Sequence, residues 1–288
     1  MSKIVHTKCS LDQLIEWSFA VYLIAVYLFD LNPTYIFISY ASFLLFAILV
    51  TMKIIKTGKI FSGKYLVYTF SFVLYSFISV FWASSFEKAI DRSITMLLVF
   101  ILYFFIFNAF FQRNKLDFLV KVHLISGLCL SLYSVFYYGW NNIINAMLNN
   151  VRLGGEISQA NVFGMQLAIT VVICFYYFII QNKKIMIPLS ILPFILAMSS
   201  GSRKALLVIC VGLITLIFIK YDFKRIFKLI LGIVLAISFF VVISQIPLFN
   251  NVFYRIEGLF AVFSGIGKPE ASAQVRQTLI ELGWRWYT

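Results

Sequence analysis

The sequence predicts an all-α, polytopic membrane protein with about nine transmembrane helices. Three observations carry that prediction. The 288 residues are 62% hydrophobic and include 32 phenylalanines, against about 45–50% apolar residues in a soluble domain. Mean hydropathy is +0.95. Apolar stretches of spanning length recur along the chain, separated by short segments that hold most of the 24 lysines and arginines.

A helix needs about 20 mostly apolar residues to cross a bilayer. On that scale the first five spans read as Leu14–Phe29, Tyr35–Met52, Tyr65–Trp82, Ser93–Phe111 and Phe118–Tyr138. Four more read as Asn161–Ile180, Ile185–Ser199, Lys204–Ile219 and Leu229–Ile246. The seventh is short and holds Pro188 and Pro193, which predicts a kinked or partly re-entrant segment. The first span lacks a small-x-small cleavage site and is followed by further spans, so it reads as an uncleaved anchor. These stretches define a transmembrane helical domain over residues 1–246. Residues 247–288 are expected to begin a large extracytoplasmic loop with an amphipathic helix. Ser272 would cap that helix, and Val275, Leu279, Leu282 and Trp286 would share one face. Trp284 and Trp286 suit the headgroup level.

Basic residues fix the expected orientation. Lys53, Lys56, Lys59 and Lys64 fall on one side with the N-terminal Lys3 and Lys8, and with Arg113, Lys115, Lys121, Lys183, Lys184, Lys220, Lys224, Arg225 and Lys228 of the alternate loops. The other short loops carry only Lys88, Arg92, Arg152, Arg203 and Lys204. The positive-inside rule therefore places the N-terminus in the cytoplasm. The net charge of +13 belongs to this pattern. It does not mark a nucleic-acid-binding domain, because the cations sit in short clusters between apolar stretches.

Most other polar residues read as structural. Glu16, Lys121 and His123 lie near cytoplasmic helix ends, where their heads can reach water, and Asn108 lies near the inner end of the fourth span. Glu87, Lys88, Asp91 and Arg92 read as a solvated helix start with pairs of mixed sign. Cys129, Cys174 and Cys210 lie in apolar stretches and Cys9 in the N-terminal tail, without zinc or disulfide spacing. No metal site, cofactor motif, nucleotide-binding loop or Ser/His/Asp set is present.

Three cationic tracts fall in the outer loops on this topology. Ser200-Gly201-Ser202-Arg203-Lys204 opens the eighth span. Two charges at the end of a membrane helix require water, headgroups or a ligand, and the serines and glycine leave backbone N–H groups open to an anion. Arg152-Leu153-Gly154-Gly155 leads into Asn161 at the start of the sixth span. There the arginine supplies a forked donor, and Gly155 lets a phosphate approach the backbone. Arg276 falls in the first turn of the C-terminal helix, where the helix dipole disfavours a cation, so it needs an anionic partner. The plain alternatives are arginines touching lipid headgroups, an asparagine cap at Asn161 and an exposed surface pair at Arg276.

These tracts resemble the O-antigen ligase and O-antigen polymerase superfamily. The resemblance rests on Ser202-Arg203 opening a span, on Arg152, Gly155 and Asn161 before it, and on Arg276 with the downstream aromatic Trp284. It covers roughly Asn150 to the C-terminus. It implies a glycosyltransferase of the bacterial cytoplasmic (inner) membrane that joins undecaprenyl-diphosphate-linked oligosaccharide repeat units at the outer face. Arg152, Arg203 and Arg276 would be catalytic, holding the diphosphate as it leaves. Gly155, Asn161, Ser200, Ser202 and Lys204 would bind substrate. No cofactor or metal is implied. The implied partners are the lipid-linked glycan, the bilayer and other polysaccharide-assembly proteins. Members of that family carry about a dozen spans and a histidine in the large loop. This chain has only His6 and His123, both placed inside, so the resemblance implies a C-terminally truncated member. A surface (capsular) polysaccharide polymerase is favoured over a ligase. A lipid-linked polysaccharide flippase is the competing class, and it should show internal repeats and charged mid-membrane helices.

Overall fold

The computed structural model describes residues 10–29, 32–61, 63–111, 115–148, 151–220, 238 and 271–287. Among these residues the fold is all-helical. The helices are α1 (Leu11–Phe29), α2 (Ile36–Thr57), α3 (Lys64–Ser79), α4 (Phe86–Phe110), α5 (Leu116–Tyr138), α6 (Trp140–Leu148), α7 (Ala160–Ile179), α8 (Met186–Ser199), α9 (Arg203–Lys220) and α10 (Ala271–Tyr287). A 3-10 turn, Val80–Trp82, extends α3.

Among the described residues six helices are long and apolar enough to cross a membrane: α1, α2, α3 with its 3-10 turn, α4, α5 and α7. The chain is therefore a multi-pass membrane protein. The expected seventh span forms α8, a single helix of 14 residues with Pro193 inside it. At 1.5 Å per residue it extends about 21 Å, short of a ~30 Å hydrocarbon layer. The expected eighth span forms α9, with Arg203 and Lys204 at its start and Lys220 at its end. The expected ninth span, Leu229–Ile246, lies outside the described residues.

Several boundaries differ from those expected: α1 starts at Leu11 rather than Leu14, α2 runs on to Thr57 rather than Met52, and two further starts differ. Helix α4 starts at Phe86, seven residues ahead of Ser93, with Glu87 in its first turn, where the helix dipole favours an acid. Helix α10 starts at Ala271, so Ser272 lies within its first turn rather than ahead of it, and Arg276 falls in the second turn. Alanine is the best helix former, and alanines stand on both sides of Ser272.

The chain forms two compact units. The first takes the start of α1 up to Leu23 together with Phe37–Val122. A capping box opens α1: the Ser10 N–H donates to Gln13 Oε1 at 2.9 Å, and the Gln13 N–H donates back to Ser10 Oγ at 3.3 Å. The core joins Ile15, Phe19, Phe46, Val50, Ala109, Phe110 and Val122. Phe110 meets Phe19 edge-on at 5.0 Å and stacks on Phe46 at 6.2 Å. Helices α3 and α4 are linked by Ser93 Oγ donating to the Ser76 carbonyl at 3.0 Å. Asn108 is buried. Its side chain accepts from the Phe61 N–H at 2.9 Å and donates to the Phe104 carbonyl at 3.0 Å.

The second unit takes Ile24–Ile36 and the chain from His123 onward. Helix α7 is its centre, with α8 and α9 packed along it. Its fully buried Phe163, Leu167, Val171 and Cys174 recur every three or four residues and form one stripe. A side chain at Gly127 of α5 would overlap Thr170 of α7. A small residue here lets two helix backbones approach, as membrane packing favours. Tyr27 and His123 share a hydrogen bond of 3.0 Å between the hydroxyl and Nδ1. His123 thus has a helix-to-helix partner, and it is half-buried rather than an open, water-reaching end.

The long loop expected between Gly139 and Ala160 contains α6, which packs on α8. Its Ile143, Ala146 and Met147 are buried.

Candidate functional site at the α8–α9 turn

The site starts from one tight turn. Gly201 adopts φ +60° between α8 and α9, the left-handed region that glycine enters without penalty. Its N–H donates to the Met198 carbonyl at 3.0 Å, closing the end of α8. Ser200 and Ser202 flank it and are buried, at 0% and 1% exposure. Ser200 Oγ donates to the Ala197 carbonyl at 2.6 Å and accepts from the Ser202 N–H at 3.2 Å. Ser202 is the N-cap of α9, its Oγ accepting from the Ala205 N–H at 3.4 Å. Both hydroxyls therefore shape the turn from inside.

Helix α7 presses on this turn. A Cβ at Gly164 would overlap Ser200 Oγ and come within 2.9 Å of Ser202 Cβ. Only glycine leaves room for the turn to sit against the first turns of α7.

The preceding loop closes over the end of α8. The Leu153 N–H donates to the Ser199 carbonyl at 3.2 Å. Arg152 Nε donates to the Ser200 carbonyl at 3.1 Å, and its Nη2 donates to Asn161 Oδ1 at 2.7 Å. One guanidinium thus bridges the end of α8 and the start of α7. Two contacts on a planar fork fix its plane and direction. The loop is tied from below by Tyr138, whose hydroxyl accepts from the Gly154 N–H at 3.2 Å. Gly154 itself takes φ +101°, and a Cβ there would come within 2.6 Å of the Phe163 ring.

Arg203 and Lys204 are the first two residues of α9, and no acidic residue lies in that first turn. Arg203 is half-buried and Lys204 exposed. The positive end of a helix dipole disfavours cations, so an anion at this point would be stabilised by the dipole and both side chains together. Gly155 is exposed, and an added Cβ there would meet nothing within 4 Å. Arg152 is exposed and Asn161 half-buried.

The structure therefore brings Arg152, Asn161 and the Ser200–Lys204 tract into one constellation. For Arg276 it describes only the backbone, within α10; the side chain lies outside the described residues. Sequence reasoning passed over Tyr138 and Gly164. Neither carries a motif, and their roles come from contacts 16 and about 36 residues away along the chain. Among the described residues no group of three His, Cys, Asp or Glu side chains could hold a metal ion. No family model, no curated protein and no solved structure matches the chain.

Proposed function

We propose that the protein is a membrane glycosyltransferase that joins undecaprenyl-diphosphate-linked repeat units at the outer face of a bacterial cytoplasmic membrane. One observation carries the reading. The Arg152 guanidinium is anchored at both the Ser200 carbonyl and Asn161, beside a helix start that presents Arg203 and Lys204. A diphosphate is already a good leaving group. Its departure needs charge stabilisation and positioning more than covalent chemistry. Arg152 and Arg203 supply that charge. Asn161 and the Ser200 carbonyl hold Arg152 in place, the Ser200 and Ser202 hydroxyls shape the turn that bears Arg203 and Lys204, Gly155 leaves space for the phosphate, and Arg276 is a third cation for the same group. The resemblance in motif order supports the same assignment, with the N-terminus inside and these residues outside.

The test is polymer length in cells making the glycan from the complete gene. Arg152→Ala and Arg203→Ala should each abolish long polymer while single repeat units still reach the outer face. Normal polymer length in both variants would sink the proposal. Loss of translocated units instead would point to a flippase.

A further inference from the structure

In the first compact unit, a lysine-lined cavity of about 330 Å³ lies among the end of α2, the end of α4 and the start of α1. Lys53, Lys59 and Lys115 line it, with Asp12 the acidic member of the lining. Lys53 donates to Asp12 at 2.8 Å and to the Ala109 carbonyl at 3.4 Å. An ammonium has three N–H donors, so one remains for a further acceptor. Lys115 is paired with Glu16. Lys59 is exposed and makes no ion pair among the described residues. The cluster therefore keeps a net positive charge, with Lys53 and Lys115 held against carboxylates and Lys59 open to water.

A second cavity, of about 410 Å³, runs between α3 and α4 and is wholly apolar, lined by Leu66, Phe70, Phe100, Ile101, Phe104 and Phe105. Phe70 is 45% exposed, so the groove opens outward. Both cavities use the same stretch of α4. Asn108 and Phe111 line the lysine-bearing one, while Phe104 and Phe100 line the apolar one. At 1.5 Å per residue these lie about 6 and 12 Å further along the helix. A cationic pocket at a helix end, followed by an aromatic groove deeper along the same helix, matches a phosphate headgroup followed by an acyl chain. A soluble phosphate would have no use for the groove.

We propose that this is a binding site for an anionic phospholipid, with its phosphate on Lys53, Lys59 and Lys115 and one chain between α3 and α4. With the N-terminus inside, it takes lipid from the inner leaflet, whose negative surface potential favours such basic pockets. The site is independent of the glycan chemistry proposed above.

The full chain, purified in neutral detergent, tests this with three probes: phosphatidylglycerol, phosphatidylcholine and glycerol phosphate. Native mass spectrometry reads retention and thermal melting reads stabilisation. Phosphatidylglycerol should stay bound and raise the melting temperature, and the other two should not. Lys59→Glu lies on the surface and should melt like the parent without lipid, yet bind phosphatidylglycerol about fivefold or more weakly. Phe70→Ala, which trims the groove and leaves the lysines intact, should also weaken retention. Equal retention of the neutral lipid, equal stabilisation by glycerol phosphate, or unchanged binding in Lys59→Glu would each overturn the proposal.

Discussion

Two cationic regions of this chain solve the same electrostatic problem in different ways. At the α8–α9 turn, Arg152 is held by a backbone carbonyl and a side-chain amide. In the first unit, Lys53 and Lys115 are held by the carboxylates of Asp12 and Glu16. Neutral acceptors fix the direction of a guanidinium without themselves cancelling its charge. Carboxylates cancel much of the charge they hold. The first arrangement suits a group that must act on a developing negative charge. The second suits a group that must sit at a helix end without repelling its neighbours. The residue types differ accordingly: a planar fork where direction matters, a compact ammonium where it does not.

The sharpest way to break this comparison is at Arg203. On the proposed activity, Arg203→Ala should lower polymerisation by a factor of about 100 or more, the usual cost of removing a donor aimed at transition-state charge. Assay of lipid-linked polymer made by the purified full-length enzyme reads this directly. An effect no larger than that of Lys59→Glu in the same assay would erase the distinction between the two regions. Gly164→Leu should come next in size, because its side chain would drive into Ser200 and Ser202. Overpacking of this kind costs about 1–3 kcal/mol, so the melting temperature should fall; an unchanged value would mean that α7 does not press on the turn.

Asn161→Ala sharpens the comparison further. It removes the neutral acceptor of Arg152, and hydrogen bonds to charged groups are worth about 1.5–3 kcal/mol. Activity should drop roughly tenfold, while Asn161→Asp, which turns the acceptor into a carboxylate, should not restore it fully. Full restoration would show that the neutrality of the acceptor is irrelevant. The smallest effect belongs to the other region. A double-mutant cycle on Asp12→Asn and Lys53→Met should give a coupling under about 1 kcal/mol, since Asp12 is 59% exposed and solvent screens such pairs. A larger coupling would make the ion pairs structural anchors in their own right.

Sequence alone made the membrane helices legible, because a run of apolar residues long enough to cross hydrocarbon has few other uses. It missed α6, a nine-residue helix interrupted by asparagines. The signal was the spacing of Ile143, Ala146 and Met147, three apolar residues on one helical face within a polar loop. The arginines of the candidate site were visible as charges out of place. Their supports were not. Asn161, Ser200 and Ser202 read as ligand contacts in a linear sequence, and only the folded chain shows Asn161 and the Ser200 carbonyl on Arg152 and the two serines packed against Gly164. The lysine cluster was equally hidden, because Lys53 finds Asp12 and Lys115 finds Glu16 across long stretches of chain. Local pattern cannot encode such pairings.

The closure of α8 has a consequence for how the chain is made. The last carbonyls of that helix, on Ser199 and Ser200, are taken by Leu153 and Arg152. Those partners leave the ribosome more than forty residues before the helix end that they finish. By the time α8 emerges, the loop that helps to terminate it has already been synthesised. The end of α8 is therefore completed against a waiting template. Its final turn is set from both sides, by older material of the nascent chain and by Gly201, which follows it.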